Sequence, residues 1–90
     1  MAGTPPTAQQ TAQIRRWLIE RVAFYLERPV DDVDESVPLA ESGMTSVSAV
    51  GLCGDVEDRF QINADPTMVF DYPTVAEIAA FIWVETAARE

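Results

Sequence analysis

The sequence predicts an all-α domain, a four-helix bundle with a long first loop and a short third helix. Three observations carry this: apolar residues recur at three- and four-residue steps in three separate stretches, proline and glycine punctuate the chain between them, and no stretch alternates with the period of a strand. Ninety residues allow one domain with one core, which buries only about 60–65% of the unfolded surface. Apolar residues make up 48% of the chain, an ordinary globular proportion. There is no internal repeat.

Residues 1–10 are Thr, Pro, Gln, Ala and Gly apart from Met1, without periodicity, and read as a flexible leader or linker ahead of a domain at 11–88. In the first helix Ile14, Trp17, Leu18, Val22 and Tyr25 share one face, and Pro29 ends it because the residue before a proline is pushed out of helical geometry. A connection from Arg28 to Thr45 follows, broken by Pro29, Pro38 and Gly43 and charged at Asp31, Asp32, Asp34 and Glu35. Val30, Val33, Val37 and Leu39 lie in it without a period, and are expected to pin the loop across the bundle. A loop of this length is often functional.

The second helix is expected from Ser46 to Phe60, with Thr45 as its N-cap. At about 100° per residue, Ala49, Leu52, Cys53, Val56 and Phe60 form the core face. Val47, Val50, Gly51, Gly54 and Asp58 gather on the other side. Glycine costs about 1 kcal/mol against alanine inside a helix, so the pair Gly51 and Gly54 needs a reason. Either it lets a partner approach or it serves a close helix crossing. Asp65-Pro66 reads as a cap and first residue of a short third helix through Phe70. Thr74 and Glu77 have capping-box spacing, and Val75, Ile78, Ala79, Ile82 and Trp83 form the apolar side of the fourth helix.

Composition narrows function. The net charge is −9, with arginine the only basic residue type, which repels nucleic acid and anionic membranes and favours basic protein partners. Solubility alone is the plainer account of that acidity. The longest apolar run, Ile78 to Val84, is too short for a membrane span, and no secretory signal is visible, so a cytoplasmic address is expected. One cysteine, Cys53, allows neither an internal disulfide nor a cysteine-based zinc site, and it reads as a small buried core residue. The chain has no histidine and no lysine, so Ser-His-Asp and Cys-His nucleophilic sites have no base. A carboxylate pair would need a pocket that a domain this small rarely holds. No catalytic residue and no metal site are expected.

Ser42-Gly43-Met44-Thr45-Ser46-Val47 resembles the signature of the acyl carrier protein family: a loop glycine, an apolar residue, usually aspartate, the modified serine and usually leucine. Val50-Gly51-Leu52 through Val56-Glu57-Asp58-Arg59-Phe60 is similar to that family's second helix. Phe70-Asp71-Tyr72-Pro73-Thr74 is similar to the phenylalanine-x-x-proline-threonine start of the last helix in modular polyketide and peptide synthase carriers. The resemblance covers about residues 14 to 84 and implies an acyl-carrier-type bundle. It implies phosphopantetheine, taken from coenzyme A by a magnesium-dependent phosphopantetheinyl transferase and joined to Ser46 through a phosphodiester. The arm's thiol then holds acyl groups as thioesters for the acyl-loading and condensing enzymes of a synthase, here of a polyketide type. A helix N-terminus favours an anionic phosphodiester, and the transferase supplies the catalysis.

By position alone Ser46 reads as an ordinary helix-start serine, with Ser42, Thr45 and Ser48 as local competitors, and it is the surrounding pattern that singles it out. Thr45 and Val47 depart from the family's aspartate and leucine, and the two glycines stand where many members carry docking side chains. Docking is therefore expected on Val47, Val50, Gly51, Gly54, Glu57 and Asp58, leaning on shape more than charge. The isolated domain is expected to be monomeric. Alternatives remain: an unmodified helical docking or scaffold module, an aminoacyl, peptidyl or fatty-acid carrier, and, least supported, a hydrolase lacking its base.

Overall fold

In the computed structural model the described residues are 8–88, with side chains from Gln10 onward. They form four α-helices and no strand: α1 (Ala8–Leu26), α2 (Ser46–Phe60), α3 (Met68–Asp71) and α4 (Val75–Ala88), with one 3-10 turn at Val30–Asp32 in the first loop. The all-α, four-helix architecture with a long first loop and a short third helix is therefore as the sequence predicts.

Helix α1 begins at Ala8, so residues 8–10 of the expected leader are helical, while residues 1–7 lie outside the described residues. Ala and Gln are good helix formers, but the apolar signal that marks a helix in sequence starts only at Ile14. The helix stops at Leu26, before Pro29. Glu27 takes φ 55, the Arg28 amide donates to Ala23 O (3.0 Å) and the Glu27 amide to Phe24 O (3.3 Å). That is a Schellman ending with glutamate in the left-handed position glycine usually fills.

Thr45 caps α2 as expected: it is extended (φ −87, ψ 167) and its side chain accepts from the Ser48 amide at 3.1 Å. The α3 expectation needs correction. Asp65 Oδ1 accepts from the Thr67 amide and hydroxyl, both at 3.0 Å, so Asp65-Pro66 forms an Asx-type turn and the helix starts only at Met68. Thr74 Oγ1 accepts from the Glu77 amide (3.1 Å) and its hydroxyl donates to Glu77 Oε1 (3.0 Å), which starts α4.

One core joins these elements. Leu18 and Val22 from α1, Leu52 and Val56 from α2, and Val75, Ile78 and Ile82 from α4 are fully buried. Trp83 is only half-buried. The first loop contributes Leu39, which is also buried and whose amide donates to Pro73 O at 2.8 Å. Val33 and Val37 are partly covered, but Val30 is exposed and does not pin the loop. Two further ties hold that loop: the Ala76 amide donates to Glu35 O (3.2 Å), and Arg15 pairs with Glu35 at 2.8 Å.

Helices α1 and α2 run antiparallel. Trp17 meets Phe60 edge-on with centroids 5.1 Å apart, Arg21 pairs with Asp55 at 2.9 Å, and Tyr25 lies over Gly51. The end of α1 thus stands beside the start of α2.

Candidate functional site

The loop arrives at α2 through a tight winding. The amides of Glu41 and Ser42 donate to Pro38 O (2.9 and 3.3 Å), and the Met44 amide returns to Leu39 O at 3.1 Å. Gly43 has φ +102 within this winding, a conformation side-chain-bearing residues rarely adopt. Leu39 is buried before it and Met44 packs on the core after it. The backbone is therefore fixed up to Thr45.

Ser46 is the first residue of α2 and is exposed. Its competitors are occupied. The Thr45 hydroxyl donates to Ser48 Oγ (3.1 Å) while accepting from the Ser48 amide, and the Ser42 hydroxyl faces Pro38 O at 3.5 Å. The Ser46 hydroxyl has no hydrogen-bond partner among the described residues. Nor does the first turn of α2 contain a carboxylate. The cap takes up the Ser48 amide, leaving those of Ser46 and Val47 facing outward at the positive end of the helix. An anionic ester on this hydroxyl meets favourable dipoles and no carboxylate within the first turn of its own helix, so the residues present fit a phosphodiester.

The flanking residues divide. Ala49, Leu52, Cys53 and Val56 are buried as expected and Phe60 is partly so, while Val47 (81% exposed) and Val50 (54% exposed) face solvent. Asp58 is exposed. Glu57 is exposed too, yet its Oε2 accepts from the Ala64 amide at 3.0 Å and holds the α2–α3 connection. A Cβ on Gly54 would meet nothing within 4 Å.

Gly51 corrects the expectation of a partner-facing glycine. A Cβ there would sit 2.8 Å from Tyr25 Oη and 2.9 Å from its Cε1. The space is filled by α1, so this glycine serves an internal helix crossing. Tyr25 is fixed in turn: its hydroxyl donates to Asp55 Oδ2 at 2.6 Å, and Arg21 donates to the same oxygen from Nη2 (2.9 Å) and Nε (3.1 Å). The hydrogen bond to Asp55, with burial, holds the Tyr25 phenol above its usual range. This triad is not apparent from the sequence. Tyr25 reads as part of the α1 core face, and nothing in the order of residues names Asp55 as its acceptor.

Cys53 is buried, its thiol 3.4 Å from Asp65 O, and burial first, then the Glu57 and Asp65 charges, raise its pKa. Among the described residues no His, Cys, Asp and Glu cluster of three or more could hold a metal. No helix among them is long and apolar enough to cross a membrane.

The helical bundle thus holds one helix start, at Ser46, out from its core. The chain matches the family model described as a phosphopantetheine attachment site over residues 16–82 and belongs to that family, with phosphopantetheine as its covalent prosthetic group. It is similar to 6-methylsalicylic acid synthase of Penicillium terrestre, 37% identical over 60 residues, which is 67% of this chain and 3% of that protein. It is also similar to a phenolphthiocerol/phthiocerol polyketide synthase of Mycobacterium tuberculosis, 30% identical over 71 residues, 79% of this chain and 4% of that one. The chain thus spans only a few per cent of the length of the curated relatives it matches. Among solved structures, a free-standing peptidyl carrier protein from Acinetobacter baumannii superposes with a TM-score of 0.81 at 25% identity, covering 83% of this chain and 94% of that one.

Proposed function

We propose that Ser46 is the residue that carries phosphopantetheine, and that the chain holds acyl intermediates of a polyketide-type synthesis on it. One observation carries the residue assignment: of the four hydroxyls from Ser42 to Ser48, that of Ser46 alone is exposed and free of a partner among the described residues. When bound, the group supplies a thiol on a long arm that holds an acyl chain as a thioester. The chain's own residues do the rest. Thr45 and the Gly43 turn fix the direction of the serine, and the outward amides of Ser46 and Val47 favour the ester's negative charge. The Ser46 oxygen would displace adenosine 3′,5′-bisphosphate from coenzyme A at phosphorus, and the proton lost from the hydroxyl would go to a base on the transferase, this chain having no histidine or lysine.

The polyketide cargo is supported by the two synthases to which the chain is similar. Acyl-loading and condensing enzymes are then its partners after the transferase, with Val47, Val50, Gly54, Glu57 and Asp58 as the α2 residues open to them. Mutual repulsion at a net charge of −9 supports a monomeric domain, and a cytoplasmic address is part of the same proposal. An aminoacyl or peptidyl cargo is a second reading, favoured by the likeness to the Acinetobacter carrier.

Intact-mass analysis after incubation with coenzyme A, magnesium and a phosphopantetheinyl transferase tests the assignment. One added group is expected, mapped by fragmentation to Ser46, and none on Ser46→Ala. Modification that survives in Ser46→Ala, or an unmodified wild-type chain, overturns it.

A further inference from the structure

Enzymes that work on the far end of the arm can stand away from the carrier. The transferase cannot, because it forms a bond at the Ser46 oxygen itself, so its footprint is set by what surrounds that residue. The surroundings include α1. The antiparallel pairing steps from Trp17 on Phe60 through Arg21 on Asp55 to Tyr25 over Gly51. By the same spacing Leu26, the last residue of α1, comes level with Val50, one turn along α2 from Ser46 and Val47.

Phe24 stands at that end, 64% exposed and outside the core. It is nevertheless held. Its ring meets Tyr25 edge-on at 5.2 Å, and the Arg21 guanidinium lies 4.7 Å over its face. Arg21 and Tyr25 are both fastened to Asp55 Oδ2. A half-buried network therefore fixes an exposed aromatic ring, which loses little conformational freedom when a partner covers it. Aromatic residues held in this way are the usual anchors of protein interfaces. Glu20, paired with Arg16 at 3.8 Å, and Glu27 are exposed one turn to either side of it on α1, with Arg28 beside Glu27, on a chain of net charge −9.

We propose that Phe24, with Val47, is an anchor for the phosphopantetheinyl transferase, received by an apolar pocket rimmed with lysine or arginine. This rests on the Ser46 assignment and extends the contact surface from α2 onto α1. The test is steady-state transfer from coenzyme A to the apo chain by a transferase of broad carrier range. Phe24→Ser is expected to raise KM for the chain about tenfold, the effect of losing a buried aromatic contact, with kcat little changed. Phe24→Leu keeps an apolar contact and should retain most of the rate. Val84→Ser removes an equally exposed apolar side chain toward the far end of α4 and should change nothing. Circular dichroism checks that each variant is folded. Equal KM for wild type and Phe24→Ser, an equal loss in Val84→Ser, or no retention in Phe24→Leu overturns this inference while leaving Ser46 in place. A wild-type chain that accepts no group at Ser46 overturns both.

Discussion

Replacing Gly51 by alanine tests the crossing of α1 over α2. Two effects oppose each other. Alanine inside a helix is favoured over glycine by about 1 kcal/mol, and Gly51 has no unusual backbone angle to lose. Against this, the new Cβ would lie 2.8, 2.9 and 3.0 Å from Tyr25 Oη, Cε1 and Cζ, so the ring must move. Such overpacking costs about 1–3 kcal/mol. Moving the ring also strains the 2.6 Å bond to Asp55. Arg21 and Asp55 keep about a third of their side-chain surface in water, 34% and 32%, so losing that bond adds only about 1 kcal/mol. The net is a destabilisation of about 1–3 kcal/mol, or roughly 4–24 °C in melting temperature for a domain of this size. Thermal melts by circular dichroism measure it. In a Tyr25→Ala background the obstruction is gone, and the same substitution should become stabilising, a coupling a double-mutant cycle reads directly. A Gly51→Ala chain that melts at or above the wild-type temperature would refute the crossing.

Gly54→Ala should do the reverse: with nothing within 4 Å of the new methyl, the domain should gain up to about 1 kcal/mol in a thermal melt. Val50→Asp should change stability by no more than about 0.5 kcal/mol because the residue is exposed, while slowing acyl loading in a single-turnover assay. Thr45→Ala removes the α2 cap and should cost about 0.5–2 kcal/mol in a denaturant titration, with Thr45→Ser restoring most of it. The Cys53 thiol is held above its ordinary range chiefly by burial, so its contribution to stability is complete below that range and is lost as pH rises through the raised value. Iodoacetamide at about pH 8 should therefore label native protein far more slowly than protein in denaturant, and rapid native labelling would contradict the burial.

Helical phase was readable because it depends on backbone geometry alone. Once α2 starts at Ser46, the step of about 100° sends Ala49, Leu52, Cys53 and Val56 inward and Val47 and Val50 outward. What a side chain meets across the bundle was not readable. Gly51 falls on the outer side by phase, yet Tyr25, from another helix, reaches it. Val30 and Leu39 look alike in sequence, yet Leu39, whose amide pairs with Pro73 O, is buried and Val30 is exposed. At α3 a local competitor prevailed: the Asp65 carboxylate takes the Thr67 amide and delays the helix to Met68. For Ser46, position was legible from the cap and the glycine turn. The freedom of its hydroxyl was not, since that depends on Thr45 and Ser48 bonding each other.

These constraints divide the labour around Ser46. A serine that another enzyme must modify needs a fixed position, a hydroxyl not already bonded, and no base beside it. Leu39 and Met44 anchor the backbone on the core side, and Gly43 lets the chain turn between them and the helix. The cap removes Thr45 and Ser48 from competition by bonding each to the other. The first turn of α2 itself holds no carboxylate. Val47→Asp would reverse this. The new carboxylate would repel an ester on Ser46 and compete with it for the same helix-end amides, whereas the charge of Asp58 lies near the other end of the helix.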